Sequence, residues 1–192
     1  MSLKDQINLD SFIWNKFRKG NDLYFKEIYQ THIKYLLQYG LKFTNDREFV
    51  KDCIHDLFVD LYSHRETLGE TNKIRPYLFI CLKRKIIRSL RQTQNNISLN
   101  IEELPFLVDY SLEKNIDFEE TEQLKKKLLS EALNNLSSRQ KEVIYLRFIE
   151  ELEYEEISQL LEINYQSARN LIHRAIEQLR EIITSSDLDL LK

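Results

Sequence analysis

Six side chains able to hydrogen-bond crowd into nine residues of the stretch YQSARNLIHRAIEQLR: Gln166, Ser167, Arg169, Asn170, His173 and Arg174. On a helix, Ala168, Leu171, Ile172, Ala175, Ile176 and Leu179 form a packing stripe, which turns the six outward. Such a face can read base edges in a major groove. Arg pairs bidentately with guanine and Gln or Asn with adenine, each worth roughly 1–3 kcal/mol of discrimination. Ser167 and the helix N-terminus can hold phosphate. The same residues also describe an ordinary solvated helix face, and spacing alone leaves both readings open.

A second set lies in KIRPYLFICLKRKIIRSLRQ, residues 73–92, which has seven basic residues and no acidic one. Lys85, Arg88 and Arg91 recur at steps of three, and with Arg84 would face backbone phosphates. Tyr77 and Phe79 could stack unpaired bases, since single-strand binders combine cations with aromatic platforms. For Phe79, core packing is the competing reading. A third set is Asp52, Asp56 and Asp60, spaced i, i+4, i+8 on one side of a helix. It is either a solvated acidic stripe or a face for a basic partner, with Phe58 and Val59 as an apolar centre.

Catalytic and metal chemistry find no support. His32, His55, His64 and His173 form no ligand-spaced set, and Cys53 and Cys81 read as two reduced core thiols. No Gly-rich phosphate loop or nucleophile elbow occurs. The expectation is a non-enzyme without cofactor or metal.

The elements that must position these sets read as helices throughout. With only 3 Gly and 2 Pro in 192 residues, turns are sparse and helices long. The N-terminal half predicts helices over about 9–19 (ending at Gly20), 22–40, 46–65 and 75–92. The C-terminal half predicts helices over about 117–135, from Ser137 with a Ser137/Gln140 capping box, 152–162, and 165–183 capped by Asn164. The last two, joined by Glu162–Asn164, form a helix-turn-helix candidate. Between the halves the chain is rich in Asn and Ser, then acidic: eight acidic residues against one Lys from Glu102 to Glu122. It reads as a linker whose Leu104, Phe106, Leu107 and Val108 dock on something. No apolar run approaches a membrane span and no export signal opens the chain, so a cytoplasmic protein without membrane insertion is expected.

The stretch LNNLSSRQKEVIYLRFIEELEYEEISQLLEINYQSARNLIHRAIEQLR resembles region 4 of the ECF (extracytoplasmic function) sigma factors of bacterial RNA polymerase. GNDLYFKEIYQTH, DREFVKDCIHDLFVDLY and RPYLFICLKRKIIRSLR resemble region 2 of the same family. The resemblance implies an all-α chain of two small helical domains joined by a flexible linker: region 2 at 8–93, linker at 94–116, region 4 at 117–184. It implies that region 4 reads the −35 element through Gln166, Ser167, Arg169, Asn170, His173 and Arg174. It implies that region 2 melts the −10 element through Tyr77, Arg84, Lys85, Arg88 and Arg91. The clamp helices of the largest subunit of core RNA polymerase would meet Asp52, Asp56, Phe58, Val59 and Asp60. Residues about 65–73 correspond to the place where the family traps a flipped base. Promoter DNA and core polymerase are the implied partners, and the resemblance also admits an anti-sigma factor. A stand-alone helix-turn-helix regulator is the alternative. Three positions depart from the family pattern: Glu162 stands where a turn glycine is common, Ser158 where Ala is, and Leu171 where a base-proximal Arg is. A left-handed Glu162 would cost roughly 1–2 kcal/mol.

Overall fold

The computed structural model describes residues 3–93, 104–107 and 128–190, with side chains over 9–92, 104–107 and 128–184 of these. Among the described residues every regular element is helical. The chain divides into two compact units, residues 1–101 and 102–192.

Unit 1 is a bundle of four helices: α1 (Leu3–Arg18), α2 (Asp22–Gly40), α3 (Arg47–Ser63) and α4 (Ile74–Thr93). Local chemistry sets the boundaries. The chain leaves α1 through Gly20 at φ +83, a conformation that suits glycine. The Asn21 side chain accepts from Leu23 N at 3.1 Å and that of Asp46 from Phe49 N at 3.0 Å, capping α2 and α3. Each such cap is worth about 1 kcal/mol. The start of α4 is held differently: Ile74 N donates to the Asp10 carboxylate on α1, 3.0 Å away and 64 residues back.

The inward stripes of the four helices bring together Trp14, Phe17, Ile28, Leu36, Ile54, Leu78, Leu82 and Ile86, all at most 2% exposed. Gly40 lets α2 approach α3, since a β-carbon there would collide with Val50. Trp14 Nε1 donates to the Gly69 carbonyl at 2.9 Å, which ties the 64–73 connection to α1. His32 is buried in the same bundle. Burial pushes its imidazole down to about 4, with Asp10 opposing the shift and Arg75 adding to it.

Unit 2 contains helical residues 128–134 (α5), α6 (Ser138–Ile144), a π-helical turn over Tyr145–Ile149, α7 (Tyr154–Leu160) and α8 (Tyr165–Leu190). The expected 117–135 helix lies outside the described residues up to 127. The expected capping box is present: Gln140 N donates to Ser137 Oγ at 3.3 Å and Ser137 N to Gln140 Oε1 at 2.9 Å. Gln140 then reaches Gln178 of α8 at 2.9 Å. The π-turn was not foreseen. Tyr145 donates to the buried Glu150 carboxylate at 2.7 Å, and Arg147 donates to the Leu152 carbonyl at 2.9 Å, so the turn is anchored at both ends. Of the linker expected at 94–116, only 104–107 is described. Leu104 and Phe106 are buried there, the Phe106 ring 5.7 Å from that of Tyr145, so this part docks as its apolar residues predicted. Val108 lies outside the described residues. Neither Cys53 nor Cys81 is in a disulfide; Cys53 is buried as expected, whereas Cys81 is only partly buried.

Candidate nucleic-acid and protein interfaces

The helix-turn-helix is built by α7 and the first turns of α8. Ile163 N donates to Ser158 O at 3.0 Å and Glu162 N to Gln159 O at 3.3 Å, which closes α7. Glu162 takes φ 55, so the acidic residue does stand in the left-handed conformation that a glycine would fill without strain. Asn164 then caps α8 by accepting from Ser167 N at 2.7 Å. Ala168, Ile172 and Ala175 are fully buried, and Leu171 and Ile176 half-buried, on α6 and α7.

That packing leaves Gln166, Ser167, Arg169, Asn170, His173 and Arg174 all exposed on one unit. Two internal pairings order the face. Gln166 Nε2 donates to Asn170 Oδ1 at 2.9 Å, and His173 Nδ1 lies 3.1 Å from Glu177. The arrangement offers amides and guanidiniums on the N-terminal half of a rigid helix, the geometry that a major groove admits.

The basic face of α4 is constructed otherwise. Arg84 and Arg88 are exposed, as is Arg91 near the helix end. Lys83 is buried, its ammonium over the Phe43 ring at 5.9 Å. Phe79 is a core residue stacked on Tyr39 at 4.6 Å and fully buried, so the stacking role weighed for it is withdrawn. Tyr77 is half-buried, edge-on to Trp14 at 5.1 Å and hydrogen-bonded with Cys81; burial first, and Cys81 second, push its phenol up to about 12. A cavity of about 350 Å³ opens beside it, lined by Asp60, His64, Leu68, Tyr77, Cys81 and Lys85 among others. His64, Leu68 and Cys81 had no signal in the sequence, because three elements converge to make this wall.

The acidic set on α3 splits. Asp52 and Asp56 are exposed. Asp60 is exposed too, but its Oδ2 lies 2.7 Å from Lys85 Nζ on α4. Two residues expected in different surfaces thus meet. The hydrogen bond from Lys85, with the charges of His64 and Arg88, holds the Asp60 carboxyl below its ordinary value. Val59 is 49% exposed and Phe58 buried, yet both line an apolar groove of about 490 Å³ with Phe25, Tyr29, His55 and Tyr62. The rings there meet at 4.8–6.0 Å. The i, i+4 aromatic pairs Phe25/Tyr29 and Phe58/Tyr62 were the signal for this groove in the sequence.

Among the described residues no group of His, Cys, Asp and Glu could hold a metal ion. No described helix is long and apolar enough to cross a membrane.

Comparison with known proteins matches both units. The family described as Sigma-70 region 2 matches residues 28–96, and that described as Sigma-70, region 4 matches residues 126–179. The chain is 21% identical over 156 residues to the ECF RNA polymerase sigma factor SigM of Bacillus subtilis, covering 81% of this chain and 93% of that protein. It is 26% identical to RNA polymerase sigma factor SigV of the same organism, over 78% of this chain and 84% of the relative. RNA polymerase sigma-E factor of Streptomyces coelicolor is 25% identical, over 88% of this chain and 92% of its own. In fold it is similar to CnrH, solved in complex with the cytosolic domain of CnrY, at TM-score 0.60 and 19% identity, covering 92% of this chain and 97% of CnrH. It is also similar to the sigma factor RpoE of Bartonella quintana, solved in complex with the anti-sigma factor NepR, at TM-score 0.56 and 16% identity, covering 83% of this chain and 96% of RpoE.

Proposed function

Because the chain belongs to the ECF subfamily of RNA polymerase sigma factors, we propose that it binds core RNA polymerase and directs promoter-specific transcription initiation. Unit 1 docks on the polymerase clamp helices and opens the −10 element, and unit 2 reads the −35 element as duplex. The observation that carries this reading is the presence, in one chain, of an exposed polar recognition helix and a separate bundle with a basic face. A stand-alone helix-turn-helix regulator accounts for the first and leaves the second idle.

In this reading Arg169 and Arg174 supply guanine or phosphate contacts, Gln166 and Asn170 address base edges, and Ser167 and His173 complete the face. Arg84, Arg88, Arg91 and Lys85 follow the phosphates of the opened strand, and the cavity beside Tyr77 receives an unstacked base. Val59 and Phe58 line the aromatic groove that meets the clamp, and Asp52 and Asp56 are exposed on the same helix. RNA synthesis belongs to the polymerase, so this chain acts in the cytoplasm as a specificity subunit. A net charge of −3 keeps the affinity of the free chain for DNA low. Two weak DNA contacts joined on one polymerase then act multivalently. An anti-sigma factor is a further partner of this reading, supported by the complex in which the neighbour RpoE is solved.

The test is reconstitution. Purified chain added to core polymerase is expected to give defined run-off transcripts from a subset of genomic fragments. Absence of promoter-dependent transcript from all of them, with core binding intact, would end the proposal.

A further inference from the structure

We infer that Asp60 belongs to the nucleic-acid surface of unit 1, as the built-in counter-ion that positions Lys85, and not to the polymerase-docking face. The inference rests on the assignment of the α4 basic face to the opened −10 strand.

The i, i+4, i+8 spacing of Asp52, Asp56 and Asp60 suggests one line. A helix of 3.6 residues per turn, however, advances by roughly 40° over four residues, so Asp60 sits roughly 80° around α3 from Asp52. That rotation carries it toward α4, where its carboxylate meets Lys85 at 2.7 Å. The same carboxylate lines the cavity with His64, Tyr77, Arg84, Lys85 and Arg88, and among the described residues it is the one acidic side chain in that wall. His64 is fixed to the same turn through Nδ1, 2.9 Å from the Asp60 carbonyl. The Lys85 side chain is only 22% exposed, whereas that of Asp60 is 63% exposed. The ammonium is thus held at the cavity edge by a carboxylate that faces solvent.

This arrangement has a directional consequence. A phosphate approaching Lys85 meets an anion already in place, and must share or displace it. Asp60 therefore lowers the affinity of the surface for any single strand and reduces the number of counterions that the strand releases on binding. It also keeps Lys85 from searching other rotamers, so the strand that does bind meets a placed charge.

The experiment uses holoenzyme assembled from core polymerase and the full chain. The probe is a fluorescein-labelled oligonucleotide carrying the non-template −10 strand of a promoter that the holoenzyme transcribes, followed by anisotropy across a salt series. Asp60→Asn is expected to tighten binding about fivefold, the effect of one unit charge at contact distance in water. The slope of log affinity on log salt should steepen by about 0.7, one phosphate on a single strand. Asp60→Glu should restore both values, which a merely structural defect would not. Core polymerase affinity should not change. Weaker core binding with unchanged oligonucleotide binding would return Asp60 to the docking face and overturn the inference. Lys85→Gln separates the two levels: it should weaken oligonucleotide binding with either Asp or Asn at position 60. If it changes nothing, the assignment of the basic face to DNA fails, and this inference with it.

Discussion

The outward polar face of α8 and the basic face of α4 are both rich in groups that suit nucleic acid, yet they are constructed in opposite ways. On α8 the core takes Ala168, Ile172 and Ala175 and leaves six polar side chains exposed. On α4 the core and the neighbouring helix reach into the polar set itself. Phe79 is stacked on Tyr39, Tyr77 leans on Trp14, Lys83 lies over Phe43, and Lys85 is held by Asp60. A duplex groove has a fixed shape, so its reader gains from a rigid preformed surface. On the proposed reading α4 serves an opened strand, which has no fixed shape, and its surface doubles as structure.

The contrast can be broken at its strongest point by Phe79→Ala. As a fully buried ring it should cost about 3–5 kcal/mol and lower the denaturation midpoint of unit 1. Arg169→Ala/Arg174→Ala should leave stability unchanged, read by the same melt. If Phe79→Ala instead spares stability and damages only strand binding, the tethered character of α4 is wrong.

Next in size is the Arg169→Ala/Arg174→Ala effect on function. At about 1.4 kcal/mol per arginine, within the range for base contacts, transcription from a −35-dependent promoter should fall about 100-fold. Binding of holoenzyme to the −10 oligonucleotide should not change. A loss that appears equally on −35-less templates would erase the division of labour between units.

Acid should separate the two units as well. The His32 imidazole sits at about 4 in the folded chain against an ordinary 6.5, so the unfolded chain binds the extra proton first. Stability is then full above about pH 6.5 and lost as pH falls toward 4, by about 2 kcal/mol at pH 5. Unit 2 has only the exposed His173, so chemical denaturation followed by probes in each unit should show unit 1 weakening first. His32→Gln should flatten that acid limb. The smallest effect expected is on unit 2: Glu162→Gly should raise its stability by about 1 kcal/mol, by relieving a left-handed glutamate. No gain would mean that the turn is held by something other than its backbone preference.

What was legible in the chain follows from the range of the interactions. Ser137/Gln140 and Asn164 act within a few residues of themselves, and the helix starts they imply agree with the structure; Asn21 and Asp46, which the sequence reading did not name, cap α2 and α3 over the same short range. The outward face of α8 was legible because one helix and its period determine it. The Asp10–Ile74 cap, the Asp60–Lys85 pair and the Trp14–Gly69 bond join positions 25 to 64 residues apart. Periodicity along a single helix is silent about such pairings. The π-turn at Tyr145–Ile149 was hidden for a related reason: the interactions of Tyr145 and Arg147 beyond the helix anchor it, while the local pattern still reads as α-helix.

Trp14 is the one tryptophan in the chain, 1% exposed. Its indole donates to the carbonyl of Gly69 while its ring faces Tyr77. The connection that borders the cavity proposed to receive an unstacked base is therefore wired to an intrinsic fluorophore. A displaced connection breaks the indole hydrogen bond and admits water, so emission shifts to the red and quenchers gain access. The proposed strand capture would then be timed by stopped-flow in the unlabelled free chain, at oligonucleotide concentrations high enough to offset its low affinity, without a dye on either protein or DNA.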